Sequence, residues 1–199
     1  MKAVLDSFRE RAVYGVLALL VFLVGCFLGW MTFWQNPAFI LGNLNKLLGN
    51  LLEISAKMEK ESKLSIARYI FQNNARALFV MIFGGIAFGI VPFFALIFNG
   101  FVVGVVLALN FYNGQSLYFF LAGMLPHGIL ELPAILTGAA FGLKTGAELL
   151  FSKGEIRLRI LKKNLKESIL AFGILIPILL IAAFIEAVVT PLLLSPFNK

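Results

Sequence analysis

Residues 77–112 read ALFVMIFGGIAFGIVPFFALIFNGFVVGVVLALNFY and contain no charged side chain over 36 positions. A helix that crosses a bilayer needs about 20 mostly apolar residues. This stretch is therefore too long for one upright helix and slightly short for two full ones. We expect two short or tilted helices, over about 77–92 and 95–112, or a pair that re-enters the membrane from one side.

The break between these two helices is expected at Pro92 and at the dipeptide Asn99-Gly100. Proline lacks a backbone donor, and Asn-Gly favours a turn. Irregular backbone at membrane depth is tolerated only where protein shields it or where it faces a water-filled cavity. We therefore expect any part of residues 92–100 at that depth to lie inside the bundle.

Three further apolar segments, 12–33, 117–143 and 169–194, bring the number of membrane segments to five. The chain is 60% hydrophobic and 14% charged, whereas soluble domains average roughly 45–50% apolar residues. This composition excludes a soluble single-domain enzyme. It predicts an all-α, polytopic transmembrane helical bundle with some short or broken segments, in which the whole chain, 1–199, forms one integral membrane domain.

Lysine and arginine are distributed unequally between the two sides that five segments create. The N-terminus and a basic inner loop, 144–168, carry ten of them, and the other side carries seven. Cytoplasmic loops are enriched in Lys and Arg, so we predict a multi-pass protein of the cell membrane with a cytoplasmic N-terminus. The carriers of the net charge of +7 flank apolar spans, which indicates contact with the lipid bilayer and no nucleic-acid binding.

The loop after the first segment has the pattern of an amphipathic helix over about 38–66. Its apolar residues recur at spacings of three and four: Leu44, Leu47, Leu48, Leu51, Ile54 and Met58. Such a helix lies on the membrane surface or packs against another chain. Two interpretations stay open, an interfacial helix that holds the bundle and a docking helix for a membrane or extracytoplasmic protein partner.

Glycines recur four residues apart in the apolar segments. The sets are Gly25 with Gly29, Gly85 with Gly89, Gly100 with Gly104, and Gly138 with Gly142 and Gly146. Small residues at this spacing let helix backbones approach closely. Packing within one chain is the more frequent use of such pairs, and one of them could serve the homodimer that we predict.

Three ionisable residues lie inside the apolar segments: His127, Glu131 and Glu186. A charged side chain at the bilayer centre costs roughly 2.5–3.5 kcal/mol on insertion scales, so such residues indicate a partner or a function. His127 precedes Glu131 by four residues, and both project from one face if the helix continues past Pro126. Counting from the segment centres at about 1.5 Å per residue places His127 and Glu186 at nearly the same depth.

Three interpretations of this polar cluster stay open. The imidazole and the carboxyl groups can hydrogen-bond to one another and to Asn73, Asn74 or Asn99, and so tie short helices together. They can instead form an ion or proton pathway through a shielded cavity. In the third interpretation, the histidine and both glutamates bind a divalent metal such as zinc, with water as the fourth ligand.

Sequence motifs of hydrolases are missing. The chain has no second histidine. It also lacks Gly-x-Ser-x-Gly and His-Glu-x-x-His, two patterns that common hydrolases use. Its one cysteine, Cys26, allows neither an intrachain disulfide nor a cysteine-based zinc site. We therefore expect a protein that is not an enzyme.

Around its polar residues the chain resembles the stage II sporulation protein M (SpoIIM) family. The resemblance rests on several short elements: Leu125-Pro126-His127-Gly128 followed by Glu131, Asn73-Asn74, Pro92-Phe93, Asn99-Gly100, and Glu186 with Thr190-Pro191. It covers about residues 73–191 together with a matching N-terminal span. The resemblance implies a multi-span membrane protein in which the matched positions form the polar core.

The family member of endospore-forming bacteria is a membrane partner of peptidoglycan-degrading enzymes during engulfment, and the resemblance implies a role of this kind. Relatives also occur in organisms that make no spores, archaea included. We therefore predict an integral membrane scaffold or assembly protein that acts through helix packing and partner binding. The alternative is an ion or divalent-metal transporter or channel-like protein that uses the intramembrane His/Glu cluster.

Overall fold

The computed structural model describes residues 11–49 and 61–194, except for the side chains of residues 126, 127 and 194. All regular secondary structure in these ranges is helical, which confirms the all-α prediction. The α-helices are α1 (Ala12–Gln35), α2 (Pro37–Gly42), α3 (Lys63–Phe83), α4 (Ile90–Tyr112), α5 (Leu117–Phe151) and α6 (Gly154–Leu194). A turn of 3-10 helix, Gly84–Ile86, follows α3, and residues 44–49 are also helical.

Polar side chains define where three of these helices begin. Asn36, Ser62 and Ser116 stand at the N-caps of α2, α3 and α5. Each accepts a hydrogen bond from the backbone N–H three residues later, at 3.1, 3.3 and 3.2 Å. These bonds satisfy donors of the first turn that have no partner within the helix.

The amphipathic helix predicted over 38–66 is not continuous. α2 ends at Gly42, a turn follows at Asn43, and α3 starts only after its cap at Ser62. The Asn43 side chain donates a hydrogen bond to the Phe39 carbonyl at 2.9 Å. Asparagine side chains that bond to nearby backbone groups compete with the helical ladder, which explains the interruption.

The apolar residues of the predicted amphipathic helix pack on the bundle where they are described. Leu44 and Leu47 contact a buried cluster that contains Phe33 and Val105, and Leu48 is also buried. This part of the chain therefore packs on the ends of α1 and α4. The remaining members of the pattern, Leu51, Ile54 and Met58, lie outside the described residues.

Within the described ranges, four helical stretches are long and apolar enough to cross a membrane: Ala12–Gln35, Ile90–Tyr112, Gly128–Phe151 and Gly154–Leu193. α3 has 21 residues and packs in the same bundle, but it is not among these four stretches. Its polar residues Arg68, Asn73, Asn74 and Arg76 explain the difference. α3, whose last residues belong to the predicted second segment, is thus more polar than these four stretches.

The break in the uncharged stretch 77–112 lies at residues 84–89, and the prediction of a break within 92–100 was wrong. The 3-10 turn is followed by Phe88 and Gly89, whose φ angles are 55° and 76°. Glycine adopts this left-handed conformation without steric cost. The predicted segment 77–92 is therefore divided among the end of α3, the turn and the start of α4.

The residues predicted to interrupt the helix lie within α4. Pro92 is its third residue, and in the first turn a missing N–H removes no hydrogen bond of the helix. Asn99 and Gly100 lie in the middle of α4, which is continuous. The predicted segment 95–112 therefore begins five residues earlier than expected, at Ile90.

Contacts between residue pairs define the direction of each helix. α1 and α4 are parallel, because Gly25 lies against Ile97 and Gly29 lies against Phe101. α3 and α5 are parallel in the same way, through Asn74 with Glu131 and Gly85 with Gly142. α6 returns antiparallel to α5 after a two-residue connection.

The two ends of the bundle differ in charge. Arg11, just before α1, forms an ion pair with Glu167 of α6, so the start of α1 and the α5–α6 connection lie at the same end. We call this the basic end, because residues 153–166 add six Lys and Arg there. We call the end with Gln35 and the α4–α5 connection the opposite end.

Glycines bring α1 and α4 into backbone contact. A Cβ on Gly25, Gly29, Gly100 or Gly104 would overlap backbone atoms of the facing helix. Both predicted glycine pairs are thus used within the chain. Because such close approach needs residues without side chains, the contact between α1 and α4 depends on these glycines.

The glycines of α5 pack against α3 and the turn after it. A Cβ on Gly142 or Gly146 would overlap backbone atoms of Met81 or Gly89, so these glycines are also used within the chain. Buried apolar side chains fill the same half of the bundle: Leu78, Met81, Ile82, Leu96, Ala139, Leu143, Leu175 and Leu179. The bundle is therefore closely packed toward the basic end.

The basic inner loop predicted over 144–168 is a helical hairpin. Only Ser152 and Lys153 separate α5 from α6, and residues 154–168 of the predicted loop form the first turns of α6. Lys144 and Asn164 are buried between the two helices. The backbone stays helical here because the polar side chains find partners across the hairpin.

Glu148 is the centre of these polar contacts. The Asn164 side chain donates a hydrogen bond to a Glu148 carboxylate oxygen at 2.7 Å, and the Lys144 ammonium lies 3.7 Å from the other oxygen. Nearby, the Arg11 guanidinium lies 4.1 Å from the centre of the Phe141 ring. These contacts join the start of α1 to both helices of the hairpin.

A candidate binding cavity

A cavity of about 820 Å³ lies between α3, α4, α5 and α6. Much of its wall is apolar and includes Phe98, Val102, Val106, Phe119, Phe120 and Met124. Toward the opposite end it is lined by Asn110, Asn113 and Gln115. Ligand pockets typically have volumes of about 300–1,000 Å³ and mostly apolar walls with a few polar groups, and this cavity has both properties.

The deep part of the cavity carries four polar side chains, Asn74, Glu131, Glu186 and Thr190, which we call the polar floor. Asn74 of α3 is buried, and its Nδ2 donates a hydrogen bond to Oε2 of Glu131 at 2.6 Å. Asn73 in turn donates to the Asn74 Oδ1 at 3.3 Å. This short chain of hydrogen bonds orients the Glu131 carboxyl group.

Glu186 and Thr190 form the α6 side of the polar floor. They are four residues apart and therefore lie on the same helix face, and both line the cavity. The Glu186 carboxyl group is close enough to Glu131 for the two groups to interact electrostatically. Two acidic groups thus face one space.

The Thr190 hydroxyl is buried and has no hydrogen-bond partner among the described side chains and backbone. The residue is only 7% exposed. Buried hydroxyl groups normally have a partner, and one without is costly to leave unsatisfied. Thr190 is therefore a polar position of the floor that the described residues do not satisfy.

The structure places most of the predicted polar residues around this cavity. Asn73, Asn74, Glu131 and Glu186 all line it. Asn99 lines the same cavity from α4, but its side chain donates to the Ala95 carbonyl of its own helix at 2.7 Å. Asn99 is thus a wall residue and not a member of the polar floor.

His127 lies in the helical backbone of α5, but its side chain is outside the described part of the structure. Among the described side chains, no group of three His, Cys, Asp or Glu residues stands close enough to hold a metal ion. The metal site built from the histidine and both glutamates therefore stays a prediction. The same applies to a relay between His127 and either glutamate.

Two cavity residues were not selected as site candidates from the sequence. Asn110 is buried, and its side chain donates to the Gln115 and Ser116 carbonyls at 3.3 and 3.0 Å. It thereby holds the α4–α5 connection next to the cavity. Thr190 belongs to the Thr190-Pro191 element of the family resemblance. Its spacing of four residues from Glu186 is the signal that places both side chains on one helix face.

The cavity does not extend into the basic half of the bundle within the described residues. Its lining on α5 ends at Ile135, and on α6 it begins at Glu186. Beyond these positions lies the closely packed core around Met81 and Leu179. The described helices thus form a cavity that is closed toward the basic end.

Comparison with known proteins identifies the family of this chain. The family model described as stage II sporulation protein M matches residues 18–191. The chain belongs to the SpoIIM family. The matched range includes all four residues of the polar floor and the glycines through which α1 and α4 meet, so the cavity is part of the SpoIIM region of the chain.

A relative in the same family is an uncharacterized protein of Methanocaldococcus jannaschii. It is 38% identical over 125 residues, which cover 61% of this chain and 69% of the relative. No solved structure matches the chain. The family and its membrane-spanning helices establish a multi-pass membrane protein of SpoIIM type.

Proposed function

We propose that this protein is a non-catalytic scaffold or assembly protein of the cell membrane, and that it binds part of a partner protein in its cavity. The observation that carries this proposal is a cavity of about 820 Å³ with a mostly apolar wall, which packed helices close toward the basic end. A closed end suits retention of a bound group. Membership of the SpoIIM family supports the role, because the resemblance implies a membrane partner of other proteins.

A rigid framework around the cavity supports the same role. The backbones of α1 and α4 touch at four glycines, and α5 contacts α3 and the following turn at Gly142 and Gly146. A cavity whose walls are held in this way needs little reordering when a partner enters, which favours affinity. Partner binding is therefore expected without a large rearrangement of the bundle.

The proposed orientation directs the cavity away from the cytoplasm. Six Lys and Arg of residues 153–166 lie at the basic end, and the positive-inside rule favours a cytoplasmic location for such a segment. The opposite end, with Asn113 and Gln115, would then face the extracytoplasmic side. A partner with an extracytoplasmic or membrane-embedded segment could reach the cavity from there.

The proposal is tested by photo-crosslinking in native membranes. A benzophenone amino acid replaces Val106, which lines the cavity. In a control protein it replaces Leu180 of α6, which is 42% exposed and does not line the cavity. After irradiation, we expect crosslinked proteins specific to the Val106 position, identified by mass spectrometry. Identical products from both positions, or none from Val106, would contradict partner binding in the cavity.

Cation transport is a second candidate, and the two carboxyl groups of the polar floor favour it. Intramembrane carboxylates commonly mark ion pathways. In proteoliposomes, transport predicts ion or divalent-metal flux that Glu186→Gln and His127→Gln abolish while fold and oligomeric state persist. A wild-type protein without flux would exclude this candidate, and elemental analysis of the purified protein would test for a bound metal.

A homodimer also stays a proposal. The glycine pairs predicted for close packing are used within the chain, so a dimer would need a different surface, such as the lipid-facing side of α1. Light scattering of the purified protein, with the detergent contribution subtracted, gives the molar mass directly. A mass of one chain would exclude the dimer.

A further inference from the structure

We propose that the outer face of α3 binds a transmembrane helix of another protein, and that Arg76 pairs with a carboxylate near the middle of that helix. This face lies outside the cavity: the α3 residues of the cavity wall are Ile70, Asn73, Asn74 and Ala77. Its occupant is therefore independent of any partner bound in the cavity. Arg76 is the key residue because of its depth in the bundle and its exposure on the surface.

Contacts between α3 and α5 define the depth of Arg76. Asn74 bonds to Glu131, and Gly85 lies against Gly142. Both pairs are 57 positions apart, so Arg76 is level with residue 133. The apolar segment 117–143 is centred on residue 130, and three residues of helix span about 4–5 Å. Arg76 therefore starts within about 5 Å of the centre of a hydrocarbon core that extends about 15 Å to either side.

The Arg76 side chain is exposed at this depth. Asn74, Leu78 and Met81, three of the buried residues of α3, lie on the opposite side of the helix. Within the described part of the chain, no hydrogen bond or ion pair joins Arg76 to another residue. The guanidinium group is thus presented on the outside of the bundle.

An arginine in this position needs a polar partner. Charged side chains within membrane segments almost always face a bundle interior or water, or pair with another group, because contact with lipid tails is costly. Long basic side chains near the ends of a helix reach the headgroups instead. Arg76 is too close to the centre of the core for that, so we expect protein to cover this face of α3.

The surface around Arg76 has the shape and chemistry of a helix-docking site. A shallow groove of about 570 Å³ runs along α3 and is lined by Phe71, Gln72, Ala75, Arg76, Phe79 and Val80. The Phe79 ring lies 6.1 Å from the ring of Phe172 in α6, centre to centre, so a neighbouring helix supports one side of the groove. Arg68, two turns earlier and also exposed, adds positive charge to this face. The groove therefore fits an apolar helix that carries negative charge.

A carboxylate is the best partner for this guanidinium. Arginine has five N–H donors and no acceptor, and its planar fork binds both oxygens of a carboxylate at once. Asp and Glu are the side chains that supply this group. The occupant is therefore a transmembrane helix with Asp or Glu near its middle.

A second copy of this chain does not fit the face as well. Among the described acidic residues, only Glu131 and Glu186 lie at this depth, and both line the cavity. Two copies joined through α3 would bring their Arg76 side chains together, and like charges repel. The carboxylate is thus assigned to a different protein.

The test uses a membrane-spanning polyleucine peptide with one glutamate at its centre as the probe, and the same peptide with glutamine as the reference. The full chain is reconstituted in lipid vesicles with a donor dye on Lys153→Cys, an exposed position, in a Cys26→Ala background. Energy transfer to an acceptor dye on the peptide gives the dissociation constant in the bilayer. We expect the glutamate peptide to bind about tenfold more tightly, because a charged acceptor strengthens the hydrogen bonds. Equal binding of the two peptides would overturn the proposal.

Variants locate the binding site and separate binding from folding. Arg76→Gln should remove most of the preference for glutamate, and Arg76→Gln with Arg68→Gln should remove all of it. Their melting temperatures should not fall, because Arg76 has no partner among the described residues. Arg159→Gln, at an exposed position near the start of α6, is the matched control and should keep the full preference. An unchanged preference in Arg76→Gln would overturn the pairing.

A steric variant tests the groove itself. Ala75→Leu adds bulk to the groove beside Arg76 and should weaken binding of both peptides several-fold. Unchanged binding of both would place the peptide on another surface and overturn the assignment to this face.

Light scattering of the peptide-free protein distinguishes a second copy from a different protein. We expect the same molar mass for the wild type and Arg76→Gln. A dimer that Arg76→Gln converts to a monomer would overturn the proposal in favour of a second copy on this face.

Discussion

Asn74 of α3 and Glu131 of α5 are 57 positions apart and share a hydrogen bond of 2.6 Å at the deep end of the cavity. Both groups would be costly to leave without a partner in an apolar bundle. The bond joins two parallel helices and orients a carboxyl group that lines the cavity. It therefore links the stability of the bundle to the chemistry of its cavity.

Removal of this bond is expected to destabilise the protein. Asn74→Ala should lower the free energy of unfolding by about 1–3 kcal/mol, because Glu131 loses its donor in a buried setting. Asn99→Ala is the matched control, since Asn99 is exposed and its side chain donates to the Ala95 carbonyl of its own helix. Its effect should stay below about 0.5 kcal/mol. Reversible denaturant unfolding in mixed micelles measures both, and equal effects would refute the role of the bond.

The second prediction concerns the effect on stability of glycine substitutions at the contact between α1 and α4. Gly104→Ala should destabilise the protein by about 1–3 kcal/mol, because the added methyl group would overlap the backbone of Cys26. Gly15 lies in α1, and beyond the neighbouring backbone of α1 no described atom lies within 4 Å of the methyl group that Gly15→Ala adds. It should be neutral or stabilising by up to about 1 kcal/mol, since alanine favours the helix. Melting temperatures of the two variants are compared with that of the wild type. An equal decrease in both would refute the prediction.

The third prediction concerns the contribution of the ion pair at the basic end to the free energy of unfolding. Arg11 is 2% exposed and its partner Glu167 is 22% exposed, so Arg11→Met should cost about 3 kcal/mol by leaving a carboxylate without its cation. The double variant Arg11→Met with Glu167→Leu should recover part of this loss, because both charges are gone. A double-mutant cycle of unfolding free energies checks this coupling, and strictly additive effects would show that the pair does not interact.

The fourth prediction concerns which end of the bundle, and so which end of the cavity, faces the outside of the cell. Asn113→Cys at the opposite end and Lys153→Cys at the basic end are both exposed positions, and each is placed in a Cys26→Ala background. A membrane-impermeant maleimide should label Asn113→Cys in intact cells and Lys153→Cys only after lysis. The reverse pattern would direct the cavity to the cytoplasm and contradict the proposed orientation.

Much of the candidate site could be predicted from the sequence because polar residues are conspicuous in apolar segments. Glu131, Glu186 and Asn74 were selected for this reason, and the structure brings them together. Thr190 and Asn110 were missed as site residues, because a hydroxyl or an amide in an apolar helix has many uses. Their burial and hydrogen bonding become informative only when the neighbouring helices are known.

The break in the uncharged stretch 77–112 shows why local signals failed elsewhere. Pro92 is a strong helix breaker in the interior of a helix, but in a first turn it costs no hydrogen bond. The turn forms instead at residues 84–89, where Gly85 and Gly89 lie against α5. Contact with another helix thus selected one of two plausible break positions.

The sequence by itself determined the environment and the helical class of this protein, because apolar composition and the length of uncharged runs act locally along the chain. It also determined which few ionisable residues any function has to involve. Only the tertiary structure decided that glycines of α1 face those of α4, that Asn74 bonds to Glu131, and that a cavity remains above them. Such pairings depend on how helices distant in the sequence pack, and no local pattern contains that information.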